Sequence, residues 1–117
     1  MLPETLISQS SPTEHAIRFF DLDKIRFIIK DATGLDVAYA YDDLVFAENA
    51  IFIIQFDATD SNTFNCYFNI DCIEANRMAM LASLHATAEL NASVIHYKGK
   101  FELLMNDQED TFGVRFL

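Results

Sequence analysis

Between Ala50 and Ile70 the chain carries two runs of sheet-forming residues on either side of a polar turn, and every other segment has to fit around them. Ala50-Ile-Phe-Ile-Ile-Gln-Phe-Asp57 is rich in β-branched and aromatic side chains, which suit a pleated, half-buried surface. Asp60-Ser-Asn62 supplies turn chemistry. Thr63-Phe-Asn-Cys-Tyr-Phe-Asn-Ile70 then alternates strictly, with Phe64, Cys66, Phe68 and Ile70 on one face and Thr63, Asn65, Tyr67 and Asn69 on the other. A period of two over that length puts one face in a core and the other in water. The stretch predicts a long β-hairpin at the middle of a sheet.

The flanking segments change period. Residues 1–10 read as a flexible lead-in, and Ser11-Pro-Thr-Glu14 has the spacing of a helix start, with Ser11 as cap and Glu14 closing a capping box. Leu22, Ile25, Ile28, Ile29 and Ala32 recur at helical spacing, and Gly34 stands where a C-terminal cap belongs. Residues 12–32 form one helix or two. Val37, Tyr39 and Tyr41 then alternate as a strand, and Leu44-Val-Phe46 follows. Asp71 reads as the N-cap of a long helix, with Glu74 at the capping-box position and Met78, Leu81, Ala82, His85 and Ala88 on one stripe. Asn91 ends it. Ser93 to Tyr97, Phe101 to Met105 and Phe112 to Phe116 predict three further strands, the first two joined by a tight turn at Gly99. The expected class is α+β: a two-layer sandwich, its mostly antiparallel sheet of about 5–7 strands carrying an N-terminal helix and a long helix (about 72–90) on one face. Residues 11–117 form a single domain.

Half of the residues are hydrophobic, so a core forms without staples. Eight basic against eighteen acidic residues give a net charge of −10. From Asp31 to Asn76 there is no Lys or Arg, while Asp31, Asp36, Asp42, Asp43, Glu48, Asp57, Asp60, Asp71 and Glu74 all fall there. Such a field repels nucleic acid and anionic lipid and attracts basic partners or cations; its plainer use is solubility. No apolar run approaches the length of about 20 residues that a membrane span needs, and no secretion signal opens the chain. A cytoplasmic location is expected, and a symmetric homodimer.

Chemistry-bearing motifs are sparse. Cys72, at the first position of a helix capped by Asp71, would sit where the helix dipole favours a thiolate, although Asp71 and Glu74 oppose that effect. His85, thirteen residues along the same helix, lies roughly 20 Å away and cannot serve it as a base. Cys66 shares a face with Phe64 and Phe68 and reads as core. His15, His85 and His96 have no metal spacing. Asp57-Ala-Thr-Asp-Ser-Asn62 lacks the Gly and Glu of a calcium loop. No metal, cofactor or catalytic residue is expected, and an enzyme is disfavoured.

Two functions of different class fit these residues. One is a small acidic non-enzymatic protein-binding module, chaperone-like or immunity-like, that captures a basic or aggregation-prone partner through Asp42, Asp43, Asp57, Asp60, Tyr39, Tyr41 and Tyr67. The order helix, three strands, helix, strands, with a low pI, resembles the type III secretion chaperone architecture, from which it departs in ending on a strand. The other is a small-ligand domain with a pocket between helix and sheet, with Cys72 as its candidate reactive thiol. Acidic side chains gathered on one exposed face would favour the first. A concave apolar cavity of at least roughly 300 Å³ would favour the second.

Overall fold

The computed structural model describes the backbone of residues 4–8, 19–106 and 111–117, and the side chains of 22–105 and 112–117. The order is β1 (Glu4–Ser8), α1 (Phe19–Thr33), β2 (Val37–Tyr41), β3 (Leu44–Ala47), β4 (Phe52–Phe56), β5 (Thr63–Asn69), α2 (Glu74–Leu90), β6 (Val94–Asn106) and β7 (Thr111–Phe116). The fold is α+β, a seven-stranded sheet of order β1-β7-β6-β5-β4-β3-β2 with two helices on one face. The expected hairpin is β4–β5, and β5 stands at the centre of the sheet. Every pairing is antiparallel except β5–β6, because α2 carries the chain from the end of β5 back to its starting edge.

Of the residues expected to face inward, Phe64, Cys66 and Phe68 of the hairpin and Ile25, Ile28 and Ile29 of α1 are buried. Phe52, Ile54, Phe64, Cys66 and Phe68 meet Ile25, Ile28 and Ile29 of α1 and Leu84 and Ala88 of α2 in one apolar cluster. Each large side chain removed from water here contributes roughly 1.5–3 kcal/mol. Gly34, with φ +77°, ends α1 as expected, its N–H bonded to the Lys30 carbonyl. Asn91 likewise caps α2, donating from its side chain to the Thr87 carbonyl.

The other face of the hairpin is divided: Gln55, Thr63, Asn65 and Asn69 are half-buried, while its middle is covered. Ile53 and Tyr67 point into a second core with Leu44, Phe46, Phe101 and Val114. The sheet encloses it by curling. Phe46 on β3 and Phe112 on β7 are four strand positions apart, which in a flat sheet is about 19 Å at the usual strand spacing. Their ring centroids are 5.9 Å apart. The continuous apolar run Leu44-Val-Phe-Ala47, buried at every residue, is the local signature of a strand covered on both faces.

β6 supplies the largest correction. The predicted turn at Gly99 is a bulge inside one continuous strand. Cys66 pairs with Tyr97 and Tyr67 with Gly99, so Lys98 is an extra residue. That residue shifts the alternation. Ile95 and Tyr97 face the helices, whereas Phe101 and Leu103 face the second core. Gly99 takes φ +140°, a backbone that other residues rarely adopt.

Smaller differences have equally local causes. A strand, β1, lies within the expected lead-in and pairs with β7. The predicted helix start at Ser11–Glu14 lies outside the described residues. α2 begins at Glu74 rather than Cys72, after an N-cap at Ile73 with no side-chain cap, because the Asp71 N–H is taken by the Asn69 side chain in a turn. Its buried stripe is Leu84, Thr87 and Ala88, leaving Met78, Ala82 and His85 exposed. Ile70, expected inward, lies just past β5 and is exposed.

Candidate functional site

Inside the curl, where β2 and β3 face β6 and β7, lies a cavity of about 440 Å³. Its aromatic wall is Tyr39, Phe46 and Phe112, whose centroids stand 5.9 to 6.1 Å apart in edge-to-face contacts. Leu103 and Met105 form the wall opposite, on the part of β6 whose phase the bulge sets. Ala38, Ala47 and Ala50 border the space between, Ala47 being itself buried in the helix-side cluster. Asn49 completes the lining and is exposed.

The connection from β3 to β4 shapes one rim. Asn49 has φ 60° and Ala50 φ 51°, two successive left-handed residues of which Asn tolerates the conformation and Ala does not. Three hydrogen bonds hold this hook. Ile51 N–H donates to the Glu48 carbonyl at 3.3 Å, the Asn69 amide to the Ala50 carbonyl at 3.1 Å, and Asn69 N–H to the Ile51 carbonyl at 2.9 Å. The Ala50 methyl packs on the second core, so the strain places apolar surface at the rim.

The residues singled out from sequence separate into three places. Tyr39 lines the cavity, and burial pushes its hydroxyl above its ordinary range. Tyr41 packs partly buried beside the second core. Tyr67, expected on a solvated face, is 9% exposed and lies 4.4 Å from Phe116, ring to ring. Asp42 and Asp43 turn β2 into β3 at the far end of the sheet from the cavity hook, and Asp57 and Asp60 lie in the β4–β5 turn beside them. Asp43 accepts from the Gln55 amide at 3.1 Å, and burial raises its carboxyl above the usual carboxylate range. Asp57 and Asp60 are held below that range by their own turn: Thr59 N–H and hydroxyl and Asp60 N–H donate to Asp57, and Asn62 N–H and the Thr63 hydroxyl to Asp60. The remaining acids of the Asp31–Asn76 stretch, Asp31, Asp36, Glu48, Asp71 and Glu74, belong to the opposite end. The acidity is thus divided between two ends.

Cys72 lies in the turn before α2, its thiol 3.7 Å from the Ile73 carbonyl, and burial raises its pKa while Arg77 opposes that shift. The thiolate-favouring helix position expected for it is not formed. It lines a smaller hollow of about 280 Å³ with Asn69, Asp71 and Asn76. Among the described residues no cluster of metal-binding side chains occurs. A hollow of about 460 Å³ beside α1 is lined by Arg26, Lys30 and Asp36, of which Lys30 and Asp36 pair at 3.2 Å.

Sequence reasoning missed Phe46, Leu103, Met105 and Phe112 as site residues. The matching signal is the apolar alternation of Phe101-Leu103-Met105 and Phe112-Val114-Phe116, which needs a second core to face. No family model, curated protein or solved structure matches this chain. Four strands stand between the two helices and a strand precedes α1, which departs further from the secretion-chaperone order.

Proposed function

We propose that this chain is a non-catalytic binding domain whose concave cavity takes an apolar small molecule. The observation that carries this reading is the cavity itself: about 440 Å³, lined by eight apolar or aromatic residues and one amide. Small-molecule sites have this size and make-up, with apolar walls for affinity and few polar groups for orientation. Its position differs from the pocket expected between helix and sheet, because the curl turns the second sheet face inward. Cys72 takes no part, since it lies outside this cavity.

Titration with the neutral dye Nile red tests the reading. One saturable site is expected, with affinity reduced at least about tenfold in Ala38→Phe and in Met105→Trp. Both residues are exposed at the cavity, so these substitutions fill space without disturbing either core. Unchanged binding in both variants would refute the cavity as the site.

A second reading, capture of a basic protein partner, is supported by the convergence of Asp42, Asp43, Asp57 and Asp60 from two turns at one end of the sheet. Its test is a lysine-rich peptide. Binding should weaken as salt rises from about 0.01 M to about 0.15 M and be lost in the doubly substituted Asp42→Asn, Asp43→Asn chain.

A further inference from the structure

The charge around the cavity narrows what enters it. None of its described lining residues carries a formal charge. Among the described residues, acids stand at the hook: Glu48 adjoins Asn49, and its carboxylate accepts the Asp36 N–H at 2.7 Å. An anion would therefore leave water for an uncharged cavity with acidic neighbours inside a molecule of net charge −10. A cation fares little better. Among the described residues no carboxylate lines the wall, so an ammonium would give up its water for apolar surface with no counter-charge in contact.

One lining side chain can hydrogen-bond from an exposed position at the rim. Asn49 presents a carboxamide that donates and accepts, on a backbone fixed by the hydrogen bonds of the hook. From these features we infer that the cavity selects neutral, mainly apolar molecules bearing one hydroxyl, carbonyl or amide group, and rejects carboxylates and amines of the same skeleton. The inference rests on the cavity being the binding site.

Displacement of bound Nile red by 1-decanol, decanoate and decylamine tests it, in the unaltered chain and in Ala38→Phe. 1-Decanol should compete at least about tenfold more strongly than either charged analogue. Asn49→Gly keeps the left-handed backbone and removes the amide, and should weaken 1-decanol about fivefold, the worth of one hydrogen bond. Decanoate or decylamine competing as well as the alcohol, with competition abolished in Ala38→Phe, would overturn the selectivity and leave the cavity reading standing. Equal binding of 1-decanol to Asn49→Gly would overturn the role of the amide. Nile red binding that Ala38→Phe and Met105→Trp leave untouched would remove the cavity reading, and this inference with it.

Discussion

Ala50 holds a left-handed backbone that costs an L-residue roughly 1–2 kcal/mol, yet it is neither Gly nor Asn. Its methyl packs on the concave core, so the strain is the consequence of needing a side chain where the hook turns. Ala50→Gly relieves the strain and loses the methyl, whereas Ala40→Gly, at a half-buried strand position outside the left-handed region, only loses one. Ala50→Gly should therefore be about 1–2 kcal/mol less damaging than Ala40→Gly in urea unfolding. Nothing in the letters Glu-Asn-Ala marks this hook beyond a turn, because the conformation is imposed by Asn69 from the neighbouring strand. Asp43 is a different kind of cost. Burial raises its folded pKa above the unfolded value of about 3.9, so the ionised carboxylate weighs on the native state at neutral pH. That cost is absent below about pH 3.9, where both states are protonated, and returns as pH rises through the folded pKa. Asp43→Asn, which can still accept from Gln55, should stabilise the protein at pH 7 and lose its advantage toward pH 4. A constant difference across that range would show that its ionisation carries no such cost.

Among the elements, β6 decides how the second face of the sheet is used. Lys98 is the extra residue and Gly99 the residue whose φ of +140° permits it. A methyl on Gly99 would lie 3.5 Å from the Leu117 carbonyl oxygen, an ordinary contact, so the penalty of Gly99→Ala is conformational. It should be about 1–3 kcal/mol by urea unfolding. Deleting Lys98 should do more, since it would move Phe101, Leu103 and Met105 onto the other face and empty both the second core and one wall of the cavity. Loss of the cooperative unfolding transition is the expected result; a native-like transition with Nile red binding intact would mean the register is not set here. The β4–β5 hairpin, the α1 stripe and the ends marked by Gly34 and Asn91 were legible because short-range periodicity and capping determine them. The bulge was not, because Lys-Gly-Lys fits a tight turn as well as it fits a bulge, and only pairing with β5 separates the two. Asp71 misled for a related reason: Asn69 engages its N–H in a turn, and α2 starts three residues later.

For the molecule as a whole, the opposing electrostatic effects can be ordered by sign. The described ion pairs Lys30–Asp36, Arg77–Glu74 and Arg115–Glu102 span 2.7 to 3.4 Å, and each has at least one partly exposed member. Such pairs contribute about 0–1 kcal/mol each and weaken as salt is added. Against them stands a net charge of −10, with acids at both ends of a sheet whose central strands are five to seven residues long. That length separates the ends by roughly 20 Å, where one pair of like charges repels by about 0.2 kcal/mol in water. The screening length falls from about 30 Å at 0.01 M salt to about 8 Å at 0.15 M. Over that interval the repulsion between ends is switched off, while contacts at about 3 Å are reduced far less. Stability should therefore rise with salt, by about 1–2 kcal/mol once the unfolded chain's own repulsion is subtracted, and then level off. Asp36→Asn and Asp42→Asn, one at each end, should each shrink the increment, and together more than either alone. A urea midpoint that falls as salt is raised from about 0.01 M to about 0.15 M would mean that the ion pairs dominate and that the two acidic ends do not act on each other.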